Sequence, residues 1–265
     1  MTTSTAPAAL SEQIGHTLVI TLNRPEARNA VNASVSVAVG EAMAAAQDNP
    51  EVRVVILTGA GDKSFCAGAD LKAISRGESL YHPAHPEWGF AGYARHFIDK
   101  PTIAAVNGTA LGGGTELVLA SDLAVSDQNA TFGLPEVKRG LMAAAGGVFR
   151  IVDQLPRKRA MALLFTGEAI SAAEAAEFGL LNTVVPDGTA LDAALRLAER
   201  IAVNAPLSVQ ASKRVASGFD SGTILAEEPK WERTAREYAA LKQTADAKEG
   251  TQAFAEKRRP LWAAR

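Results

Sequence analysis

The chain has 265 residues, of which 47% are hydrophobic and 21% are charged, and its formal net charge is −2. This length and composition fit a globular protein with one large core, or one core with a helical appendage. The charge balance gives no sign of a nucleic-acid-binding protein, and no apolar run of about 18 residues predicts a membrane span.

The N-terminal part is predicted to contain a tail, a strand and a helix, in that order. Residues 1–10 carry neither a basic cluster nor an apolar segment, which predicts a flexible tail and no signal peptide. Apolar and polar residues alternate over 14–22, which is typical of a strand. Asn32 or Ser34 is then expected to cap a helix that ends near residue 47.

The middle of the chain alternates between buried strands and helical segments. The β-branched run 52–58 and the apolar run 102–106 predict buried strands, and 122–126 is a further strand candidate. Between the first two, residues 70–100 contain several prolines and glycines and predict an irregular or partly helical segment, which could form a mobile flap. Three consecutive glycines open a predicted helix over 112–120.

Alanine-rich helical patterns dominate the chain after about residue 145. Three or four helices are expected after residue 190, and the last should end near residue 260. Strands alternating with helices and then followed only by helices indicate an α/β core over 11–200 and a helical region over 201–265. The alanine-rich helices could be an oligomerisation surface, although alanine also simply favours helix.

Two backbone segments are candidates for binding an oxygen atom that carries negative charge. Small residues in the segment 64–72 would allow a ligand to approach a backbone N–H, although they also suit an ordinary tight turn. The first N–H groups of a helix have no partner within it, so an oxyanion placed against Gly113 would be stabilised there. The alternative is that this glycine only allows close helix–strand packing. The spacing matches neither a dinucleotide nor a P-loop fingerprint.

Two glutamates are candidates for acid–base chemistry. Glu116 is either a favourable acid near the start of its helix or a carboxylate in a cleft. Glu136 lies in a proline-containing segment, where Lys138 or Arg139 could be its ion-pair partner. Alternatively, Glu136 faces Glu116, and two carboxylates with different environments can hold and donate a proton.

The histidines and the single cysteine predict no metal site. His82 and His85 are the only pair with ligand-like spacing, and the four histidines are expected on the surface or in the flap. Cys66 has no evident basic partner and is expected to be a buried, inert thiol. A single cysteine excludes an internal disulfide and fits a reducing compartment, so we expect a cytoplasmic protein.

Several segments, in order and spacing, resemble motifs of the enoyl-CoA hydratase (crotonase) family. They are residues 22–30 (LNRPEARNA), 65–72 (FCAGADLK), 105–117 (AVNGTALGGGTEL), 132–141 (FGLPEVKRGL), 166–185 and 254–262. The resemblance covers nearly the whole chain. It implies an α/β fold, a crotonase-like spiral of ββα units, with an α-helical C-terminal region that assembles homotrimers or homohexamers.

The resemblance also implies an activity and its residues. The activity would be hydration of a 2-enoyl-CoA thioester to a 3-hydroxyacyl-CoA, in fatty-acid β-oxidation or related acyl-CoA metabolism, with no cofactor because coenzyme A is part of the substrate. Ala69 and Gly113 would donate N–H groups to the thioester oxygen, while Glu116 would activate water and Glu136 would protonate the α-carbon. The implied CoA contacts are Ala27, Lys63, Ala67 and Lys72, with Phe254 and Lys257 from a neighbouring subunit.

One departure from the family pattern leaves other activities open. Ala143-Ala144 stands where hydratases of the family more often have Pro-Gly, and Val148 stands where they more often have Thr. The alternatives are a Δ3,Δ2-enoyl-CoA isomerase, a specialised dehydratase or, in a different class, a non-catalytic acyl-CoA-binding protein. The presence of both glutamates favours water chemistry. The aromatic residues of the flap could line the acyl pocket or simply pack in the core.

Overall fold

The computed structural model describes residues 6–265, which form a mixed α/β fold. In this part of the chain the strands are β1 (Ala9–Ile14), β2 (Thr17–Leu22), β3 (Val54–Gly59), β4 (Ser64–Cys66), β5 (Thr102–Val106), β6 (Thr109–Leu111), β7 (Leu123–Asp127), β8 (Thr131–Gly133), β9 (Ile170–Ser171), β10 (Thr183–Val185), β11 (Phe219–Asp220) and β12 (Thr223–Ile224). The α-helices are α1 (Ala33–Asp48), α2 (Leu71–Ser75), α3 (Gly113–Ala120), α4 (Gly147–Gln154), α5 (Arg157–Thr166), α6 (Ala172–Glu177), α7 (Ala190–Ala202), α8 (Pro206–Ser217), α9 (Glu228–Leu241) and α10 (Ala245–Ala255). Short 3-10 helices cover Pro25–Ala27, Pro86–Trp88, Phe90–Gly92 and Pro135–Arg139.

Two sheets share the strands of a repeated unit. The larger sheet has the order β1-β2-β3-β5-β7-β10, and the smaller one has the order β4-β6-β8-β9. The units β3-β4-α2 and β5-β6-α3, followed by β7-β8 and a 3-10 helix, each place their first strand in the larger sheet and their second in the smaller sheet. Neighbours from successive units run parallel. This arrangement confirms the predicted spiral of ββα units.

The larger sheet is covered on both faces by apolar side chains. On one face, α1 contributes Val35, Val39 and Met43 to a core that includes the fully buried rings of Phe65 and Phe132. On the other face, α7 buries alanines spaced four residues apart against β3, β5 and β7: Ala190, Ala194, Ala198 and Ala202. A four-residue spacing places side chains on one face of a helix. The alanines of α7 therefore pack against the chain's own sheet and not on a partner.

Several boundaries differ from the sequence prediction. The predicted strand 14–22 is the second half of a hairpin, because β1 ends at Ile14 and pairs antiparallel with β2 across a turn at Gly15. Strand β1 begins at Ala9, so the end of the predicted tail belongs to the sheet, while residues 1–5 lie outside the described residues. The helix capped by Asn32 is confirmed, since the Asn32 side chain accepts from the Val35 N–H at 3.1 Å.

The C-terminal helices differ in how they contact the rest of the molecule. Helix α10 packs closely on the 3-10 helix Pro135–Arg139, where a Cβ atom at Gly250 would collide with the Arg139 carbonyl. Helix α8 has no buried residue. Within residues 6–265, no helix is both long enough and apolar enough to span a membrane.

Candidate active site

The candidate residues come together because three strands of the smaller sheet end at the same edge. Strands β4, β6 and β8 are parallel neighbours, so their carboxyl ends lie side by side. The loop with Ala69 follows β4, Gly113 follows β6, and Glu136 follows β8. The topology therefore places three predicted site groups next to each other: the N–H groups of Ala69 and Gly113 and the carboxylate of Glu136.

The backbone N–H of Ala69 is free to bind a ligand. Val31 N–H donates to the Gly68 carbonyl at 2.8 Å, and Asp70 N–H donates to the Val31 carbonyl at 2.9 Å. These two hydrogen bonds flank Ala69 and form an isolated parallel bridge with Val31. Because amides alternate in direction along an extended segment, the Ala69 N–H points away from Val31, and it has no partner among the described residues.

Side chains from the N-terminal motif fix this loop. The Asn29 amide donates to the carbonyls of Ala60 and Ser64 at 3.0 and 2.7 Å. Arg24 forms an ion pair with Asp70 at 2.9 Å. These positioning contacts were not predicted, and their only signal in the sequence was the motif over residues 22–30.

Gly113 supplies the second N–H donor. It is the first residue of α3, and its N–H has no hydrogen-bond partner among the described residues. A Cβ atom at Gly113 would collide with the ring of Phe90, while one at Gly68 would lie 3.0 Å from the Gly113 nitrogen. The backbones at Gly68 and Gly113 are thus in direct contact, and the N–H of Ala69 lies one residue further on. This geometry favours an oxyanion site over a turn without function.

Glu116 is buried, with 4% of its surface exposed. Its Oε1 accepts a hydrogen bond from the Gly147 N–H at 2.8 Å. Burial, and after it the negative charge of Glu136, raise the pKa of Glu116, while the backbone N–H groups of Gly147 and Ala145 and the charge of Arg150 counteract part of this rise. The interpretation of Glu116 as an acid on an exposed helix start is therefore wrong.

Glu136 has no ion-pair partner within residues 6–265, so the ion pair with Lys138 or Arg139 is not formed. Its Oε1 would lie 2.9 Å from a Cβ atom at Gly112, and its Oε2 is buried without a hydrogen bond. Burial raises the pKa of Glu136. Burial raises both pKa values, and the negative charge of Glu136 adds to the rise for Glu116, so ionising both carboxylates at once is unfavourable.

A cavity of about 690 Å³ opens between α2, α10 and the segment after Glu136. Its apolar lining includes Leu71, Ile74 and Leu141. Lys72, Arg139, Phe254 and Lys257 line it as well, and the Arg139 guanidinium stacks on the Phe254 ring at 3.6 Å. Phe254 and Lys257 therefore lie beside Lys72 of the same chain, and their expected contribution to the CoA site of a neighbouring subunit stays a prediction.

Comparisons with known proteins agree with this site. Residues 13–265 match the model of the Enoyl-CoA hydratase/isomerase family. The chain belongs to this family. A carnitinyl-CoA dehydratase of Salmonella paratyphi A is 44% identical to it over 254 residues, and this match covers 95% of this chain and 96% of that protein.

Two solved structures of family members show how far the similarity extends. The carnitinyl-CoA hydratase of Mycobacterium avium is 68% identical with a TM-score of 0.97, covering 98% of this chain and 100% of that one. The enoyl-CoA hydratase of Mycobacterium tuberculosis H37Rv is 45% identical with a TM-score of 0.76, covering the same shares. The family and the fold that the sequence motifs predicted are thereby confirmed.

The remaining residues that the family resemblance assigned to CoA are Ala27, Lys63 and Ala67. Ala67 N–H donates to the Arg28 carbonyl at 3.0 Å, which places Ala67 beside the turn that contains Ala27, and both alanines are partly buried. Lys63 is exposed in the turn before β4. The CoA contacts themselves stay predictions.

The flap residues differ in burial, and their expected role in lining the acyl pocket stays a prediction. Phe90 and Tyr93 are buried, whereas Tyr81 is 47% exposed. Burial, and then the charge of Glu116, raise the pKa of Tyr81, so its hydroxyl lies within the electrostatic reach of the site. In α9, Tyr238 has its pKa raised by burial, by Tyr81 and by both glutamates. Tyr238 was missed because nothing in its local sequence connects it to residues 116–136.

Three of the histidines pack around Trp88 in the flap, and Cys66 is buried directly before the Ala69 loop. The Trp88 ring stacks between His85 and His96 at centroid distances of 4.1 and 4.2 Å, and His82 is buried beside them. Across residues 6–265, no three His, Cys, Asp or Glu side chains are grouped as metal ligands. Cys66 is buried, and burial raises the pKa of its thiol to about 12, which confirms the predicted inert thiol.

Proposed function

We propose that the protein is a hydro-lyase that interconverts a 2-enoyl-CoA and a 3-hydroxyacyl-CoA by adding or removing water. The observation that carries this proposal is the position of two buried carboxylates with raised pKa values beside two unpartnered backbone N–H groups. An isomerase or a binding-only protein would not need both carboxylates. The names of the relatives, which are carnitinyl-CoA dehydratases and enoyl-CoA hydratases, support the same reaction class.

The thioester oxygen would bind the N–H groups of Ala69 and Gly113. As Glu116 accepts a proton from water, the water oxygen attacks C3 and the electron pair moves onto the thioester oxygen. The two donors and the N-terminus of α3 stabilise the resulting enolate. The enolate then takes a proton from Glu136 at C2, and the two carboxylates return to their starting states by proton exchange.

The CoA part of the substrate would follow the exposed side of the Ala69 loop. Ala27 and Ala67 leave room for the adenine and pantetheine, and Lys63, Lys72 and Lys257 supply positive charge for the phosphates. Phe254 would cover the apolar part of the cavity. The proposal needs no further cofactor.

A carnitinyl group is the second candidate for the acyl part. Its dehydration would give 4-(trimethylammonio)but-2-enoyl-CoA. The relative that shares 68% identity is named a carnitinyl-CoA hydratase, and the Salmonella relative is named a carnitinyl-CoA dehydratase. In this chain, Tyr81 and Tyr238 lie within electrostatic reach of Glu116, and an aromatic ring beside a carboxylate would suit a quaternary ammonium group.

We also propose that the protein is a homotrimer or homohexamer that acts in cytoplasmic acyl-CoA metabolism such as β-oxidation. Helix α8 supports the assembly, because Leu207 and Val215 on its outer face are 75% and 83% exposed. Large exposed apolar patches commonly mark interfaces. The single buried thiol of Cys66 supports a reducing compartment.

The test follows enoyl-thioester absorbance with crotonyl-CoA, longer 2-enoyl-CoAs and the trimethylammonio ester. Rapid loss of absorbance with the wild type is expected. Glu136→Gln should lower kcat by roughly 10²–10⁴-fold, since it removes the proton donor but keeps the shape of the side chain. Glu177→Gln, which changes an exposed glutamate of α6, is the matched control and should behave as the wild type.

Binding of butyryl-CoA, a saturated analogue, separates catalysis from affinity. Glu136→Gln should bind it as the wild type does. Tight binding of CoA esters without hydration by the wild type would instead indicate a binding protein. Conversion of a 3-enoyl-CoA without uptake of water would indicate an isomerase.

A further inference from the structure

A buried ion pair joins α4 to the start of α9. Arg150 lies in the first turn of α4 and is 7% exposed. Its Nε and Nη2 donate to the two carboxylate oxygens of Glu227 at 2.8 and 2.6 Å, and its Nη1 donates to the Ala94 carbonyl at 2.8 Å. Glu227 also accepts from the Trp231 indole at 3.1 Å. A two-pronged guanidinium–carboxylate contact fixes direction as well as distance.

The same turn of α4 holds Glu116. The Gly147 N–H that donates to Glu116 lies three residues before Arg150, in the same first turn of α4. Gly146, which precedes it, has a φ of +104°, and a Cβ atom there would lie 3.0 Å from the Trp231 ring and 3.2 Å from Arg150 Nη1. Arg150 and Trp231 therefore enclose the residue that sets the direction of the Gly147 N–H.

Charge connects the two sites as well as geometry. The positive charge of Arg150 counteracts part of the rise in the pKa of Glu116. The other titratable groups within electrostatic reach of Glu116 are Glu136, Tyr81 from the flap and Tyr238 from α9. Glu227 is the counter-ion that partly offsets Arg150.

We propose that Arg150 and Glu227 are positioning residues of the hydration reaction, which hold the first turn of α4 so that the Gly147 N–H orients Glu116. Helix α9 of the C-terminal region thereby becomes part of the catalytic assembly. This inference rests on the proposed function, because it requires that Glu116 handle the water. Arg150 and Glu227 are 77 residues apart in the sequence, so no local motif reveals their pairing.

The Arg150–Glu227 pair also borders a cavity of about 540 Å³ between the core and helices α8 and α9. Because this space adjoins the guanidinium, Arg150 can change rotamer once Glu227 no longer holds it. Other charged groups around the cavity are paired among themselves, as Lys213 is with Asp122 at 2.7 Å. Loss of the whole Glu227 side chain would therefore release Arg150 without supplying a replacement partner, whereas glutamine at this position keeps an oxygen acceptor for Arg150, which the Ala94 carbonyl also holds.

Three variants separate the position of Arg150 from its charge. Arg150→Lys keeps the charge but loses the two-pronged contact, and it should lower kcat by roughly 10–100-fold, with little change in butyryl-CoA affinity. Arg150→Met removes the positive charge, so the acid limb of the kcat–pH profile should move to higher pH. Glu227→Gln removes the negative charge, so this limb should move to lower pH.

Asp153→Asn is the matched control. It breaks the Lys230–Asp153 ion pair, which also joins α9 to α4 but lies two turns away from Gly147 and is exposed. This control should keep the wild-type kcat and pH profile. Thermal unfolding and butyryl-CoA binding are measured for every variant, and they establish that each variant is folded.

Opposite shifts of the acid limb in Arg150→Met and Glu227→Gln, together with a reduced kcat in Arg150→Lys, support the inference, since loosened packing alone would not reverse the sign. An active wild type with unchanged kcat in Arg150→Lys, or with shifts of the same sign in the other two, overturns this inference alone. A wild type that hydrates no enoyl-CoA overturns the proposed function and this inference with it.

Discussion

Glu116 is a carboxylate that folding places in an unfavourable environment. It is buried next to a second carboxylate and accepts a hydrogen bond from the Gly147 N–H at 2.8 Å. A buried charge without a paired cation destabilises the folded state, which instead favours the protonated acid. The same environment is what an acid–base catalyst needs near neutral pH.

Glu116→Gln should stabilise the protein in a pH-dependent way. Because the pKa of Glu116 is raised in the folded state, its contribution to stability is complete below the unfolded value of about 4.3 and is lost as the pH rises through the raised value. Glutamine keeps the acceptor but cannot ionise. Thermal unfolding should show a gain on the order of 2 kcal/mol near pH 8 and little gain near pH 5.

Glu177→Gln is the control for this stability measurement, because Glu177 is exposed and should show no pH-dependent gain. An equal gain for Glu116→Gln at both pH values would mean that ionisation of Glu116 carries no cost to folding.

A separate prediction concerns the contribution of Lys257 to CoA binding. It lines the cavity beside Lys72, so Lys257→Ala should raise the KM for crotonyl-CoA several-fold through a lost phosphate contact. The KM for crotonyl-pantetheine, which lacks the nucleotide, should not change. Lys248→Ala, which changes an exposed lysine of α10 outside the cavity lining, is the control, since α10 ends at Ala255, two residues before Lys257. A KM that stays constant for both esters would place the phosphates elsewhere.

Among the structural elements, α3 contributes most to the candidate site, because it contains both Gly113 and Glu116. Its N-terminus lies so close to the flap and to β4 that side chains cannot be accommodated, because a Cβ at Gly113 meets Phe90 and one at Gly114 meets the Cys66 carbonyl. These glycines therefore fit both interpretations of the sequence, which are close helix packing and an oxyanion site. Close packing brings the helix N-terminus to the place where an oxyanion can bind.

Gly113→Ala should lower kcat by roughly 10²-fold, because the new methyl group collides with Phe90 and displaces one of the two N–H donors. Enoyl-thioester absorbance measures the loss. The double variant Gly113→Ala with Phe90→Ala makes room for the methyl group and should recover part of the rate. A single variant with wild-type kcat would remove Gly113 from the oxyanion site.

Long, periodic or β-branched elements could be predicted from the sequence, whereas short ones could not. Helix α1 and strands β3, β5 and β7 lie close to their predicted positions. Strands β4, β6, β8 and β9 were not predicted because two or three residues are too few to show a periodicity. These strands form the smaller sheet, and it is this sheet that aligns Ala69, Gly113 and Glu136.

At the scale of the whole molecule, the site depends on contacts between distant parts of the chain. Family motifs pointed to both glutamates and to the two residues with unpartnered N–H groups, because these residues lie in continuous segments. The Arg150–Glu227 pair and Tyr238 come from α4 and α9, and only the folded chain brings them to residues 116–136. Similarly, no motif shows whether Phe254 and Lys257 act on their own chain or on a partner.

The outer face of α8 makes a prediction about assembly. Leu207 and Val215 are eight residues apart on one helical face and are largely exposed, while α7 directs its alanines into the chain's own sheet. Burying such side chains between subunits is favourable at about 25 cal/mol per Å².

Sedimentation equilibrium should therefore show trimers or hexamers, and Val215→Lys should shift the mass toward smaller species because it places a charge in the interface. Glu199→Gln, which makes the same charge change on α7, should leave the mass unchanged. A wild type that sediments as a monomer would mean that α8 is not an interface, and the site would then have to be complete within one chain, as the position of Lys257 beside Lys72 allows.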